Sequence, residues 1–371
     1  MIYLLLLLYC FFCAVVYKKQ RTEWIKIHLA LLFLFTVLLF GLRYRVGVDT
    51  MRYIDYYKEV KDIFSLSLQD FQETDFAPLF VLLFSICKTF GSFSFFQFVH
   101  AIILNSILFL FIKKYSINPF LSIFFYFIAV GLYFNTEILR ESLAVAVFLI
   151  NYKNVEKKRW LRYYLLSIIS IGFHYSAIIT LIVPLFSRLR FNGKVILFVA
   201  LYIALVFLMM FYIQNFGIPI ELLAYRYSSL IDFKETQTIT IAYYIVVLIK
   251  GVIFPLIVLF CNRKYKIVDN SNFEAMVILF SIVSATCVAY PLIFDRFSNY
   301  FMFFFLVSIA NCFSTVKFSR SIVGVTLFVL LSVFFIYFNV KKGTYERYFP
   351  YTSVFDQQRV MAREKMYMEE L

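Results

Sequence analysis

This 371-residue sequence is poor in the residues from which soluble enzymes usually build a site. It holds 3 His, 10 Gly and 7 Pro, and charged residues make up only 16% of it. No glycine-rich phosphate cradle, nucleophile elbow, zincin helix or dinucleotide fingerprint is present. Nor is there an Asp-x-Asp pair to hold a metal–nucleotide, which argues against a nucleotide-sugar enzyme working from the cytoplasmic side. The six cysteines, Cys10, Cys13, Cys87, Cys261, Cys287 and Cys312, lie in or at the ends of apolar runs. None belongs to a paired metal-ligand spacing, so neither zinc nor disulfides are expected, and no cofactor is implied. A long basic face is lacking too. The net charge of +14 is dispersed in short clusters, whereas a nucleic-acid groove needs a contiguous basic surface.

What the sequence has is apolar surface. Hydrophobic residues make up 63%, with 49 Phe and 28 Tyr, and the mean hydropathy is +0.83. A soluble domain is about half apolar and about a quarter charged. Lipid is the solvent that accommodates the excess. Apolar segments recur at about 2–17, 25–42, 77–90, 93–112, 119–134, 137–152, 160–187, 195–216, 239–261, 273–290, 299–316 and 321–339. The expected fold is an all-α integral membrane protein, a polytopic bundle of about 11–13 apolar helices, some short, broken or re-entrant. Residues 2–17 have no charged n-region and no small-residue cleavage site, so they read as a retained first helix.

Basic clusters set the orientation. Lys18, Lys19, Arg21 and Lys26; Lys113 and Lys114; Lys153, Lys157, Lys158 and Arg159; Arg188, Arg190 and Lys194; Arg263, Lys264 and Lys266; and Lys317 with Arg320 mark cytoplasmic loops. This puts the N-terminus outside, with the loops 43–76 and 217–238. Residues 1–340 form one multi-spanning domain and 341–371 an extracytoplasmic tail. Simple alternation fails twice. Segment 77–90 is short and carries Lys88, which suits a re-entrant or interfacial helix. Both ends of 160–187 look cytoplasmic, which suits a pair of half-helices turning near Gly172 and His174.

Four polar constellations stand out. The loop after the second helix carries Arg43, Arg45, Asp49, Arg52 and Tyr53, and 43–76 holds five basic and seven acidic residues. Arginines on an outer face run against the orientation bias, and their planar forks suit phosphate oxygens; alternatively they pair with Asp49 and Asp55 and cap the loop. Second, Glu137, Arg140 and Glu141 share a face if the segment from Asn135 is helical, with Asn135 or Thr136 as cap. Such a triplet faces a water-filled interior or forms an internal salt bridge that fixes packing. Third, His174 sits at the suspected break, as a base for a substrate hydroxyl or as a packing residue. Fourth, Asp295, Arg296 and Tyr300 fall in a short outer turn, where adjacency leaves Arg296 free to point inward. Arg226 is a weaker candidate, and His28 and His100 read as structural.

In this order the constellations resemble the EpsG family of bacterial, Wzy-like polysaccharide polymerases. The matching residues are Arg43, Gly47, Asp49, Thr50 and Tyr53; Glu137 and Arg140; Phe173, His174, Ser176 and Ala177; Arg296 and Tyr300; and Pro350 with Tyr351. Glu141 departs from the pattern, since many members have Gln after the helix-start Arg. The resemblance implies a metal-independent glycosyltransferase of exopolysaccharide, capsule or O-antigen synthesis. It would transfer the growing glycan from undecaprenyl diphosphate to the next lipid-linked unit on the outer face of the bacterial cytoplasmic membrane. It also implies that Arg43, Arg45, Tyr53, Arg140, Arg296 and Tyr300 bind diphosphate or glycan around one outer cavity. His174, Glu137 and Asp49 would be the catalytic candidates. The partners are membrane lipid, the lipid-linked oligosaccharide, and the chain-length regulator and flippase of the same pathway. Two other readings remain. A lipid-linked glycan ligase uses the same donor, whereas a glycan flippase or transporter calls for paired repeats that the sequence does not display.

Overall fold

A computed structural model describes residues 2–17, 19, 21–216, 241–267, 271–287, 291–315 and 348–368. The loop 217–238 with Arg226, the segment 321–339, and Lys18, Lys317 and Arg320 lie outside the described residues. The protein is an all-α polytopic membrane protein. Among the described residues five helical stretches are long and apolar enough to span a bilayer: Thr22–Gly41, Phe93–Tyr115, Pro119–Thr136, Ile245–Tyr265 and Asp295–Thr315. Shorter apolar helices accompany them, including Ile2–Val16, Pro78–Phe90 and Trp160–Phe173. The chain divides into two compact units, one of Met1–Leu181 with Phe313–Leu371 and one of Ile182–Cys312.

In the first unit α1 (Ile2–Val16) packs on α7 (Pro119–Tyr126), and α2 (Thr22–Gly41) packs on α6 (Phe93–Tyr115). The faces of α2 sort by solvent. Leu32, Val37 and Phe40 are buried against the bundle, whereas Leu31 and Leu34 stay exposed, as lipid permits. The span at Pro119–Thr136 is the innermost, its residues almost all buried. It continues from α7 through a π-helical turn at Phe127–Gly131 into α8 (Leu132–Thr136). Such turns are uncommon and cluster near functional sites, and this one lies a turn before Asn135 to Glu137.

Between α2 and α6 the chain forms α3 (Thr50–Glu59), α4 (Leu68–Gln72) and α5 (Pro78–Phe90). Ser67 and Asp70 cap α4 reciprocally, and Lys61 meets Asp70 at 2.7 Å. The thirteen residues of α5 reach only about 20 Å at 1.5 Å per residue, short of a membrane core of about 30 Å. A short apolar helix at 77–90 is therefore what the structure holds. Its one cation has a structural task, because Lys88 Nζ donates to the carbonyls of Tyr57 (3.0 Å), Lys58 (2.7 Å) and Val60 and so caps the C-terminal end of α3.

α9 (Leu139–Glu156) and α10 (Trp160–Phe173) form an antiparallel pair. Asn151 donates to the Tyr163 carbonyl at 2.8 Å, and Ser170 to the Ala144 carbonyl at 2.7 Å. The expected break occurs where Gly172 and His174 place it: α10 ends at Phe173, His174 is extended, and a 3-10 helix follows over Tyr175–Ile182. Gly172 admits α5 closely, since a Cβ there would lie 2.7 Å from Leu79.

The second unit begins with α11 (Val183–Phe186) and α12 (Gly193–Phe216). α13 (Ile241–Leu248) then passes through a π-turn at Ile249–Ile253 into α14 (Phe254–Tyr265), followed by α15 (Ser271–Thr286) and α16 (Pro291–Thr315). Tyr202 bonds Thr286 at 2.6 Å. The turn expected at Pro291–Tyr300 is instead the first part of α16. Proline at the first helical position costs no hydrogen bond, which lets the helix start there. A last helix, α17 (Gln357–Met368), belongs to the first unit.

Candidate functional site: an arginine loop beside a broken helix

The loop leaving α2 brings two of the constellations together. Gly47 has φ +113°, and a Cβ there would lie 2.9 Å from Thr136. Only glycine allows this turn to press on the end of α8. Thr50 reinforces the contact, its hydroxyl 2.7 Å from the Val46 carbonyl and 3.4 Å from that of Thr136. The segments 43–53 and 136–140 thus meet through Gly47, Thr50 and Thr136.

Arg43 is the least expected member. It is 1% exposed, with Nη1 on the Phe40 carbonyl and its own carbonyl accepting from Gln97 Nε2 at 2.9 Å. Nε and Nη2 have no acceptor, and the Tyr3 hydroxyl and Gln97 Oε1 are likewise unpartnered. Burial pushes the guanidinium down to about 10, with the Tyr3 and Tyr351 phenols acting against the shift, so it remains cationic at neutral pH. One bond is worth about 1 kcal/mol net, whereas each unmet buried donor costs about 1–3 kcal/mol. As it stands Arg43 destabilises the fold, and a buried cation kept at such a cost is a candidate for function.

Asp49 and Asp55 do not neutralise these arginines. Asp55 pairs with Lys58 at 2.8 Å, Arg45 meets Glu364 at 3.6 Å, and Asp49 is exposed at the start of α3. The loop-capping alternative is therefore set aside. Arg45 takes φ +47°, and its guanidinium lies 5.3 Å from the Tyr44 ring. The Tyr44 hydroxyl donates to Glu364 at 2.5 Å. Burial, together with that carboxylate, pushes its phenol up to about 12, so it keeps its proton.

On the other side stand Tyr53, Phe76 and Arg140. Tyr53 is buried, stacked on Phe76 with centroids 6.1 Å apart. The Arg140 guanidinium lies 4.3 Å from the centre of the same Phe76 ring, and that of Arg52 lies 6.0 Å away. A cation over an aromatic face gains about 0.5–1 kcal/mol when exposed and about 2 when desolvated. Half-buried Arg140 falls between these limits, and its Nε is buried without an acceptor. Burial raises the Tyr53 phenol, while the charge and hydrogen bond of Arg140 act in the opposite sense. Phe76, which sequence reasoning passed over, is thus the platform that holds the cation.

The helix-face reading of Glu137, Arg140 and Glu141 needs correction. α8 ends at Thr136, Ile138 has ψ 50°, and α9 starts at Leu139, so Glu137 lies in the break and not on the helix. Asn135 is no cap. It is buried inside the bundle, donating to Tyr126 at 2.7 Å and to the Gly131 carbonyl at 2.8 Å, and accepting from Asn105 at 2.9 Å. Glu137 sits in the break, half-buried, beside the loop that Gly47 presses on Thr136. Glu141 is fully buried.

His174 ends α10, and Phe173 before it packs on the cluster holding Tyr53, Phe76, Phe80 and Leu139. The Ser176 amide donates to His174 Nδ1 at 3.2 Å, and the Ser176 hydroxyl lies 2.6 Å from the same atom. The amide can only donate, so Nδ1 is the unprotonated nitrogen and Nε2 carries the proton. His100, read as structural, bonds the Leu139 carbonyl at 3.1 Å and the Ser142 hydroxyl at 3.0 Å.

The second unit carries Arg296 and Tyr300, both on α16. Arg296 is exposed, and Tyr300 is fully buried.

The segment after the last span also reaches the arginine loop. Ser353 bridges Arg43 in antiparallel fashion, and Tyr351 donates to the Leu39 carbonyl at 2.9 Å. Of this contact the sequence signalled only the Pro350–Tyr351 element.

No curated protein and no solved structure matches the chain. The EpsG family does, over residues 26–353, a range that takes in both halves of the arginine loop site, the His174 break and α16. The chain therefore belongs to the EpsG family, and its general role is of the polysaccharide-polymerase type.

Proposed function

We propose that this protein polymerises a surface polysaccharide from repeat units carried on undecaprenyl diphosphate, at the outer face of the bacterial cytoplasmic membrane. On this reading the N-terminus is outside and the loop of residues 43–76 faces the lipid-linked substrate. The observation that carries it is Arg43, a buried cation with two unmet donors and no carboxylate among its partners. With Arg45 and Arg140 it supplies fixed positive charge where a diphosphate leaving group develops negative charge. Tyr53 and Phe76 hold Arg140 in place.

The reaction needs no outside reagent. The acceptor sugar hydroxyl forms a bond to the anomeric carbon of the donor glycan, and the bond from that carbon to the phosphate oxygen breaks. The electron pair leaves with undecaprenyl diphosphate, and a base takes the hydroxyl proton. Glu137 is the better base. The His174 lone pair at Nδ1 already accepts from the Ser176 amide, so that nitrogen is engaged and does not take the proton. Asp49, exposed beside Tyr53, is a further carboxylate candidate on this face.

The test is the product. Deleting the gene in its host should replace long surface glycan with single lipid-linked units. The purified chain should lengthen lipid-linked oligosaccharide, and Arg43→Ala and Arg140→Ala should not. Transfer of a single finished glycan to another acceptor would assign the site to a ligase. Unchanged glycan length would end the reading. A chain-length regulator and a flippase for the same lipid-linked unit are its expected partners.

A further inference from the structure

The segment from Tyr348 to Glu364 lies over the arginine loop. Its backbone adds a rung to that loop: the Tyr44 amide donates to the Thr352 carbonyl at 2.8 Å, and the Val354 amide to the Leu42 carbonyl at 2.9 Å. The rings of Phe349 and Tyr351 meet the Tyr3 ring edge-on at 5.3 and 5.9 Å. Buried Arg363 ties α17 back onto the segment, with Nη2 donating to the Pro350 carbonyl at 2.8 Å and Nε to the Thr352 hydroxyl at 3.3 Å. That end is held by backbone bonds and aromatic packing.

The other end is held differently. A single oxygen of Glu364 takes the Tyr44 hydroxyl at 2.5 Å and faces Arg45 Nη2 at 3.6 Å. The second distance is an ion pair but too long for a hydrogen bond. The Glu364 side chain is 40% exposed, so water and ions compete for it. A phosphate brings more charge and more oxygens to the same fork than a carboxylate touching it through one atom. Arg45 also holds φ +47°, a backbone conformation that side chains other than glycine and asparagine rarely adopt.

We propose that residues Tyr348–Glu364 are a displaceable cover on the arginine loop. Glu364 holds Tyr44 and Arg45 in place of a donor phosphate and yields them when the donor binds. The cover also joins fully buried Arg43 through the backbone bridge to Ser353. This rests on the reading of the loop as the diphosphate site, and it adds Tyr44 as a ligand and Glu364 as its competitor.

The test uses the full-length chain in detergent with farnesyl diphosphate as probe. Binding is measured by titration, and the cover is followed by trypsin cleavage after exposed Arg359. Glu364→Gln should bind the probe about two- to fivefold tighter, the span set by an exposed ion pair, and should be cleaved faster without probe. In the wild type the probe itself should speed cleavage. If the glutamine variant does not run as a single species, Glu364→Ser takes its place. Probe binding with unchanged or weaker affinity in the variant, or with cleavage indifferent to probe, would overturn the cover and leave the donor site standing. Failure of wild type and variant alike to bind, together with normal polymerisation by Arg45→Ala, would remove the donor site and the cover with it.

Discussion

The two ends of α9 carry cations of opposite character. At the N-terminal end Arg140 is half-buried, lies over the Phe76 ring and accompanies Tyr53. At the C-terminal end Lys153 and Lys157 are exposed, and with Arg159 and Arg162 they line an open cavity of about 480 Å³ backed by Leu165 and Leu166. Composition scores both ends alike. What separates them is the environment. Solvated lysines fix which side of the membrane an end occupies, whereas an arginine held on an aromatic platform has been brought where water alone would not keep it. A membrane enzyme can thus use one type of charge for topology and for chemistry, and burial tells the two apart.

The sharpest way to break this comparison is at the break before α9. Glu137→Gln should lower the polymerisation rate by about 10²–10⁴-fold if Glu137 is the base, with the acid limb of the pH–rate profile lost. A variant that keeps its rate returns the proton to His174. Arg140→Ala should cost about 10²–10³-fold in rate, the usual toll for removing a donor to a developing anion. At the other end, Lys153→Ala with Lys157→Ala should stay within about twofold, because solvated charges contribute little. Equal losses at both ends would erase the distinction.

Arg296 extends the test to the second unit. If Arg296 binds substrate, as the resemblance implies, Arg296→Ala should lower glycan length as Arg140→Ala does. Wild-type chain length in that variant would remove Arg296 from the candidate substrate-binding residues.

A smaller effect is expected at Lys88, which resembles a misplaced membrane charge but caps α3. Lys88→Met leaves the carbonyls of Tyr57, Lys58 and Val60 unmet, and thermal unfolding in detergent should show a loss of about 1–3 kcal/mol. Unchanged stability would mean that water satisfies those carbonyls.

The smallest effect lies at Asp70, whose carboxyl is held down at about 2 by hydrogen bonds from Lys61 and Ser67. A depressed acid stabilises the fold above its unfolded value of 3.8, and the contribution fades as pH falls through the folded value. Asp70→Asn should therefore shift the unfolding midpoint slightly and equally between pH 5 and 8, and the gap to wild type should close only in stronger acid. A gap that varies across the neutral range would place another titrating group beside α4.

Much of this was legible in the sequence. Apolar runs gave the spans, and the shortness of 77–90 and the double cytoplasmic signature of 160–187 gave the short helix and the break at His174. What was not legible has physical reasons. The spacing of Glu137, Arg140 and Glu141 suits a helix face equally well, and only the end of α8 at Thr136 shows that the first of them lies outside α9. Phe76 is one phenylalanine among 49, so no composition signal marks it as the platform for Arg140. The rung between Arg43 and Ser353 joins residues some 310 positions apart (353 less 43), and no periodicity reports a contact at that range.

That rung also has a consequence for biogenesis. The ribosome makes the arginine loop early and its cover only after every span described here has been made. Throughout insertion Arg43 therefore lacks the segment that later bridges it, and its charge can stay with water or lipid headgroups while the helices assemble around it. A nascent chain stopped before residue 348 would hold the arginines and carboxylates of the site with nothing closed over them. The enzyme is finished in the order in which an uncovered guanidinium is easiest to place.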